Sequence, residues 1–122
     1  MDMKLELIII PVTDIDRAKG FYVDQLGFAD DWDVTVDENV RFVQLTPQGS
    51  ACSIAFGKGL TEAAPGSVRG MQMVITDADA AHAELTSKGV EVGPVDEQPW
   101  GRFVYFTDPD GNAWSLQQMP VR

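Results

Sequence analysis

A local repeat constrains this chain more than any other feature. Residues Thr46-Pro47-Gln48-Gly49-Ser50-Ala51-Cys52-Ser53-Ile54 match Asp108-Pro109-Asp110-Gly111-Asn112-Ala113-Trp114-Ser115-Leu116. Pro, Gly, Ala and Ser recur at one offset of 62 (109 − 47), about half of the 122 residues. Each copy encodes a tight turn: Pro presets the backbone for its second position, and Gly supplies the positive φ that closes a hairpin. A second match, Asp14-Ile15-Asp16-Arg17-Ala18 with Asp77-Ala78-Asp79-Ala80-Ala81, repeats a helix start at an offset of 63 (77 − 14). The chain reads as two copies of one module.

Local patterns fill in each copy. Leu5 to Val12 is short and β-branched, so a strand is expected, with Pro11 near its end. Asp14 caps a helix carrying Ile15, Ala18, Phe21, Tyr22 and Leu26 at helical spacing, and Gly27 stops it. Phe28 to Val36 alternates Trp32, Val34 and Val36 with Asp31, Asp33 and Thr35, as a half-exposed strand would. Arg41–Leu45 and Ala51–Phe56 form the first hairpin. The Gly-, Ala- and Pro-rich stretch 57–70 is a connector. Met71–Thr76 then repeats the first strand, Asp77 caps a second helix, Val90–Val95 is a short strand, Gln98–Arg102 a loop, and Phe103–Met119 the last hairpin. The expected fold is α+β: a single domain over 1–122, with module one at 4–56 and module two at 71–119, each βαβββ and curved around a cavity.

Bulk properties narrow the partners. With 19 acidic and 9 basic residues the net charge is −10, which disfavours nucleic acid and anionic membrane and would suit a cationic ligand. No run approaches the roughly 20 apolar residues that span a bilayer. The single Cys52 and the absence of a basic leader point to a reducing, cytoplasmic setting.

The paired βαβββ modules, the Val12-Thr13-Asp14-Ile15-Asp16-Arg17-Ala18-Lys19-Gly20-Phe21-Tyr22 helix start, Leu26-Gly27-Phe28 and the terminal Asp108–Asn112 turn resemble the vicinal oxygen chelate superfamily over about residues 4–118. That group comprises glyoxalases, extradiol dioxygenases, metal-dependent antibiotic-modifying enzymes and bleomycin-resistance binding proteins. In metal-dependent members similar to glyoxalase, a His in the first strand and a carboxylate in the last strand of each module hold the ion. The matching positions here are Leu7, Ser53, Met71 and Ser115, none a good ligand for a catalytic divalent ion. The one histidine, His82, falls mid-helix. No metal and no cofactor are therefore expected, and metal-dependent glyoxalase or dioxygenase activity is the least favoured reading.

Register arguments give candidate site residues. A three-residue loop at Pro109–Gly111 pairs Asp108 with Asn112, Tyr105 with Ser115 and Phe103 with Gln117 on one face. Val104, Phe106, Trp114 and Leu116 then face the helix. By the repeat, Arg41, Val43, Ser53 and Ala55 share the open face of module one, with a buried Gln44 as the discordant residue. Leu7, Ile9, Met71 and Met73 complete the open faces. Trp32, Trp100 and Arg102 are rim candidates, each with an ordinary edge-packing alternative. Such a mostly apolar cavity with a few polar points suits a drug-sized ligand.

Two functions remain open. One is a metal-free binder of a small cationic or aromatic molecule, similar to the bleomycin-resistance proteins. The other is a metal-independent isomerase, cyclase or lyase, with Tyr105 as acid and Arg41 or Arg102 stabilising negative charge. A homodimer is expected, because each module leaves one sheet face open.

Overall fold

A computed structural model describes residues 1–121. Module one contains β1 (Leu7–Ile9), α1 (Ile15–Gly20), β2 (Ala29–Asp37), β3 (Val40–Thr46) and β4 (Ser53–Lys58). Module two contains β5 (Met71–Ile75), α2 (Ala78–Ser87), β6 (Asp96–Gln98), β7 (Gly101–Thr107) and β8 (Ala113–Gln118). Each forms a four-stranded sheet, ordered β1-β4-β3-β2 and β5-β8-β7-β6, with its first strand parallel to its last and the other pairs antiparallel. The chain is α+β with two mixed sheets that do not close on one another.

Both helices start as their sequences dictate. The Asp14 carboxylate accepts the Arg17 amide at 3.0 Å, and that of Asp77 accepts the Ala80 amide at 3.1 Å. These side chains satisfy amides that the first turn leaves unpaired. α1 runs on into a π turn over Phe21–Gln25, where the Leu26 amide donates to the Phe21 carbonyl. That wider turn carries two buried aromatics, Phe21 and Tyr22.

The expected strand at Val90–Val95 is corrected to Asp96–Gln98. Val90 instead folds back onto the end of α2, its amide donating to the Leu85 carbonyl, and is buried. Pro94 further along has no amide for a ladder. The loop expected at Gln98–Arg102 shortens accordingly, and β7 starts at Gly101. β4 also extends through Lys58, two residues into the stretch read as connector.

The helix-facing sides of both sheets merge into one core. Val43, Leu45, Ile54 and Phe56 of module one join Phe106, Trp114 and Leu116 of module two around Phe21, Tyr22 and Phe28. Tyr22 packs edge-on against Trp114 at 6.0 Å, and Phe106 stacks on Trp114 at 6.4 Å. Because the modules meet through their helix sides, both open faces point outward.

A buried polar cluster fastens the modules together. Asp108 accepts four hydrogen bonds: from the Tyr22 hydroxyl and Asn112 Nδ2 at 2.8 Å, and from the amides of Asp110 and Asn112 at 2.9 Å. Trp114 Nε1 donates to the Tyr22 oxygen at 2.9 Å, and Asn112 Nδ2 also reaches the Pro11 carbonyl. Burial, then the Asp108 carboxylate, push the Tyr22 phenol far above its usual range, so it stays a neutral donor.

Candidate functional site

The second hairpin has the register expected from its turn. The Asp108 amide donates to the Asn112 carbonyl, Tyr105 pairs with Ser115, and Phe103 pairs with Gln117. The turn needs its glycine, with Gly111 at φ 96°. Val104, Phe106, Trp114 and Leu116 are buried on the helix side.

The first hairpin departs from its copy. Strict repetition would pair Val43 with Ser53, but Val43 pairs with Phe56 and Gln44 with Ala55. Six residues separate β3 from β4, and five separate β7 from β8 (residues 47–52 and 108–112). The innermost pairs, Leu45–Ile54 and Thr107–Ala113, enclose eight and five residues, so the first register is shifted by three, an odd number, which moves every side chain to the other face. Val43 and Leu45 therefore enter the core, while Phe42, Gln44 and Thr46 share the open face with Ser53 and Ala55. Gln44 is no longer discordant, since its Nε2 donates to Ser53 Oγ at 3.2 Å.

Arg41 moves with this shift and is corrected to the helix side. Its guanidinium bonds Asp33 at 2.8 and 2.9 Å and Asp16 of α1 at 2.9 Å. Arg102 is corrected likewise, bonding Asp79 of α2 at 3.0 and 3.1 Å and Glu97 at 2.6 Å. Met71 and Met73 are also corrected. They pair with the core residues Trp114 and Leu116, and it is Gln72 and Val74 that pair with Ser115 and Gln117 on the open face. Plain alternation within Met-Gln-Met-Val-Ile would have turned the methionines inward.

On the open side of module one, Leu7 lies beside Ser53 and Ile9 beside Ala55. Trp32 lies beside Gln44 and Val34 beside Phe42. Trp32 is 61% exposed. A polar chain crosses this face: Asp31, on a bulge of β2, bonds the Thr46 hydroxyl, which bonds Ser53 Oγ at 2.7 Å.

On the open side of module two, the Phe103 and Tyr105 rings stack at 5.9 Å, nearly parallel at 5°. Phe103 is buried and Tyr105 is 46% exposed. The Tyr105 hydroxyl donates to Asp96 at 2.8 Å, and this bond raises its pKa. Ser115 Oγ donates to Gln72 at 3.0 Å, Gln72 to Gln117 at 2.7 Å, and Gln117 to the Trp100 carbonyl at 2.9 Å. Trp100 itself is 60% exposed at the sheet edge. Asp96 and Gln72 escaped the sequence reading, and Gln44 was placed behind the sheet, because each depends on a register that only the folded sheet fixes.

Of the four positions that the resemblance assigns to an ion, Leu7, Ser53, Met71 and Ser115, Leu7 and Ser53 form one strand pair, whereas Ser115 pairs with Gln72 rather than with Met71. Two hydroxyls, a carboxamide and an aliphatic group do not fit a catalytic divalent cation. Among the described residues, no three His, Cys, Asp or Glu side chains gather closely enough to hold one. A cleft of about 640 Å³ lies elsewhere, between the first hairpin turn, the β5 edge and α2, floored by Phe28, Met73, Leu85 and Phe106. It runs along the helix side, and its rim reaches Gln72 and Val74 at the β5 edge, but it includes neither Trp32 nor the Phe103–Tyr105 stack.

Two βαβββ modules, joined back to back with uncovered aromatic sheet faces, define a protein of the two-module chelate type. The chain belongs to the Glyoxalase/Bleomycin resistance protein/Dioxygenase superfamily, whose model matches residues 4–116. It is similar to TnmS3, an antibiotic binding protein from Streptomyces sp. CB03234, at 35% identity over 98% of both chains with a TM-score of 0.89. A glyoxalase/bleomycin resistance protein from the same strain is 36% identical, covering 94% of this chain and all of that one, with a TM-score of 0.82. The fold alone is shared with the fosfomycin resistance protein FosX from Listeria monocytogenes, solved with Mn(II), at 17% identity, 99% and 94% coverage and a TM-score of 0.72.

Proposed function

We propose that this protein binds a small aromatic molecule without a metal ion, in a cavity formed where the open face of module one meets that of module two from a second copy. One observation carries this reading. The helix sides are consumed in joining the two modules, so Trp32, Val34, Val74 and Tyr105 all remain exposed. Exposed apolar patches rimmed by polar groups mark binding surfaces. TnmS3, described as antibiotic binding, supports a small-molecule ligand, the exposed aromatic rings support its being flat and aromatic, and the donor set at Leu7, Ser53, Gln72 and Ser115 supports metal independence. No helix of the described residues is long and apolar enough to cross a membrane, and the lone cysteine supports a cytoplasmic site of action.

Light scattering tests the assembly: the wild type should be a dimer, and Val34→Asp or Val74→Asp should shift it toward monomer. A wild-type monomer at micromolar concentration would end this reading. Thermal-shift screening with flat aromatic compounds tests binding, and metal analysis after dialysis should find no stoichiometric ion.

A specific contact favours a second reading. The Tyr105–Asp96 hydrogen bond provides an acid–base pair, as a metal-independent isomerase or lyase would need. Its weakness is electrophilic: Arg41 and Arg102, which would have stabilised negative charge, are both held on the helix side. Product analysis of binding hits decides between the two, since a ligand returned unchanged after long incubation supports binding. Tyr105→Phe should alter affinity only modestly under binding and abolish turnover under catalysis.

A further inference from the structure

Both open faces carry acidic groups and no basic ones. Their strand positions hold the carboxylates of Asp96 on module two and of Asp31, on the β2 bulge, and Asp37 on module one, but no Lys, Arg or His. The two arginines of the neighbouring strands are turned away, each held by two carboxylates. Asp96 accepts only from neutral donors, the Tyr105 hydroxyl at 2.8 Å and Gln98 Nε2 at 3.1 Å, and forms no salt bridge among the described residues. It pairs across strands with Phe103, at the edge of the Phe103–Tyr105 stack.

We propose that Asp96 selects the charge of the ligand, so that the cavity takes flat aromatic molecules carrying a cationic or N–H donor group and rejects anionic ones. This rests on the open-face binding reading above. The physical reason is local. A carboxylate beside a flat apolar surface gives a charge-assisted hydrogen bond to a ligand stacked there, and covering that surface excludes the water that would screen it. An anionic ligand would instead bring like charge against Asp96 with no cation on either face to offset it.

The test uses the full-length protein and two flat tricyclic probes, cationic proflavine and anionic anthraquinone sulfonate, titrated by calorimetry. Wild type should prefer proflavine by about tenfold or more, and Asp96→Asn should cut proflavine affinity by about tenfold without weakening the sulfonate. Glu62→Gln, at an exposed connector carboxylate, is the control for general acidity and should change affinity by less than about twofold. The wild-type preference should also persist at roughly 0.5 M NaCl, which screens the overall net charge. If Asp96→Asn matches Glu62→Gln, or the preference vanishes in salt, charge selection by Asp96 is overturned while the binding site survives. If wild type binds neither probe, the open-face binding reading itself fails and takes this inference with it.

Discussion

The two modules share a frame and differ in what they do with it. The frame includes an arginine clamp present in both copies: Arg41 joins Asp16 to Asp33, and Arg102 joins Asp79 to Glu97. Each clamp ties the first turn of a helix to the outer strands of its sheet. The polar staple occurs only once. Tyr22, from module one, meets Asp108, Asn112 and Trp114 from module two, where the repeat places Thr46, Ser50 and Cys52 in the other copy. One interface between modules needs one staple, so the second copy of that turn was free to carry other residues. The difference extends to the open faces, where module one presents Trp32 and Val34 and module two presents Tyr105, Phe103 and Asp96.

That asymmetry can be broken by mutation. The largest effect is expected for Asp108→Ala, which strands the buried donors of Tyr22 and Asn112 and should cost about 3–5 kcal/mol in urea unfolding. Thr46→Ala, at the matching position of module one, should cost less than about 1 kcal/mol. Equal losses would mean that the staple is not particular to module two. Tyr22→Phe follows in size, at about 1–3 kcal/mol, because Asp108 keeps three of its four donors while Trp114 Nε1 loses its acceptor. Gly66→Ala should also destabilise by about 1–3 kcal/mol, since Gly66 has φ 78° and a Cβ would lie 2.1 Å from the Asp110 carbonyl oxygen.

The clamps provide the smallest and most discriminating comparison. Hydrogen bonds from Arg41, then from Lys19, hold the Asp33 carboxyl far below the usual carboxylate range. A depressed carboxyl stabilises fully above its unfolded pKa near 4 and loses that contribution as pH falls through the folded value. Arg41→Met should therefore cost about 1 kcal/mol at pH 7, and its melting temperature should approach that of wild type as the pH drops below about 4. Asp79 is also depressed, by Arg102, but that pair is open to solvent. Arg102→Met should lower the melting temperature less than Arg41→Met, and added salt should remove what difference there is. A larger loss at Arg102 would reverse this ranking of the two modules.

Much of the fold was legible because it is written in local chemistry. Asp14 and Asp77 cap helices through bonds that span three residues, and the Pro109-Asp110-Gly111 turn fixes the register of its own hairpin. The candidate site was legible only where such local rules reached it: Tyr105, Ser115, Phe103 and Gln117 follow from that turn, and Leu7, Ile9 and Ser53 share the open face of module one. Arg41 was misplaced because its face was inferred by analogy with the second hairpin, whose register differs by three residues. Met71 and Met73 were matched to Leu7 and Ile9, whereas Gln72 is the residue paired with Ser115, and Arg102 was assigned to a loop that is part of β7.

The sequence by itself determined the duplicated βαβββ frame, the helix caps, the second hairpin and the lack of good ligands at Leu7, Ser53 and Ser115. Each rests on interactions among residues near one another in the chain, or on residue identity alone. Only the tertiary structure decided which face of β3 and β5 is buried, that the modules join through their helix sides, and that Asp96 stands beside Tyr105. Those outcomes depend on which side of each sheet buries more apolar surface when the two modules pack together. That sum is taken over the whole molecule, and no single segment contains it.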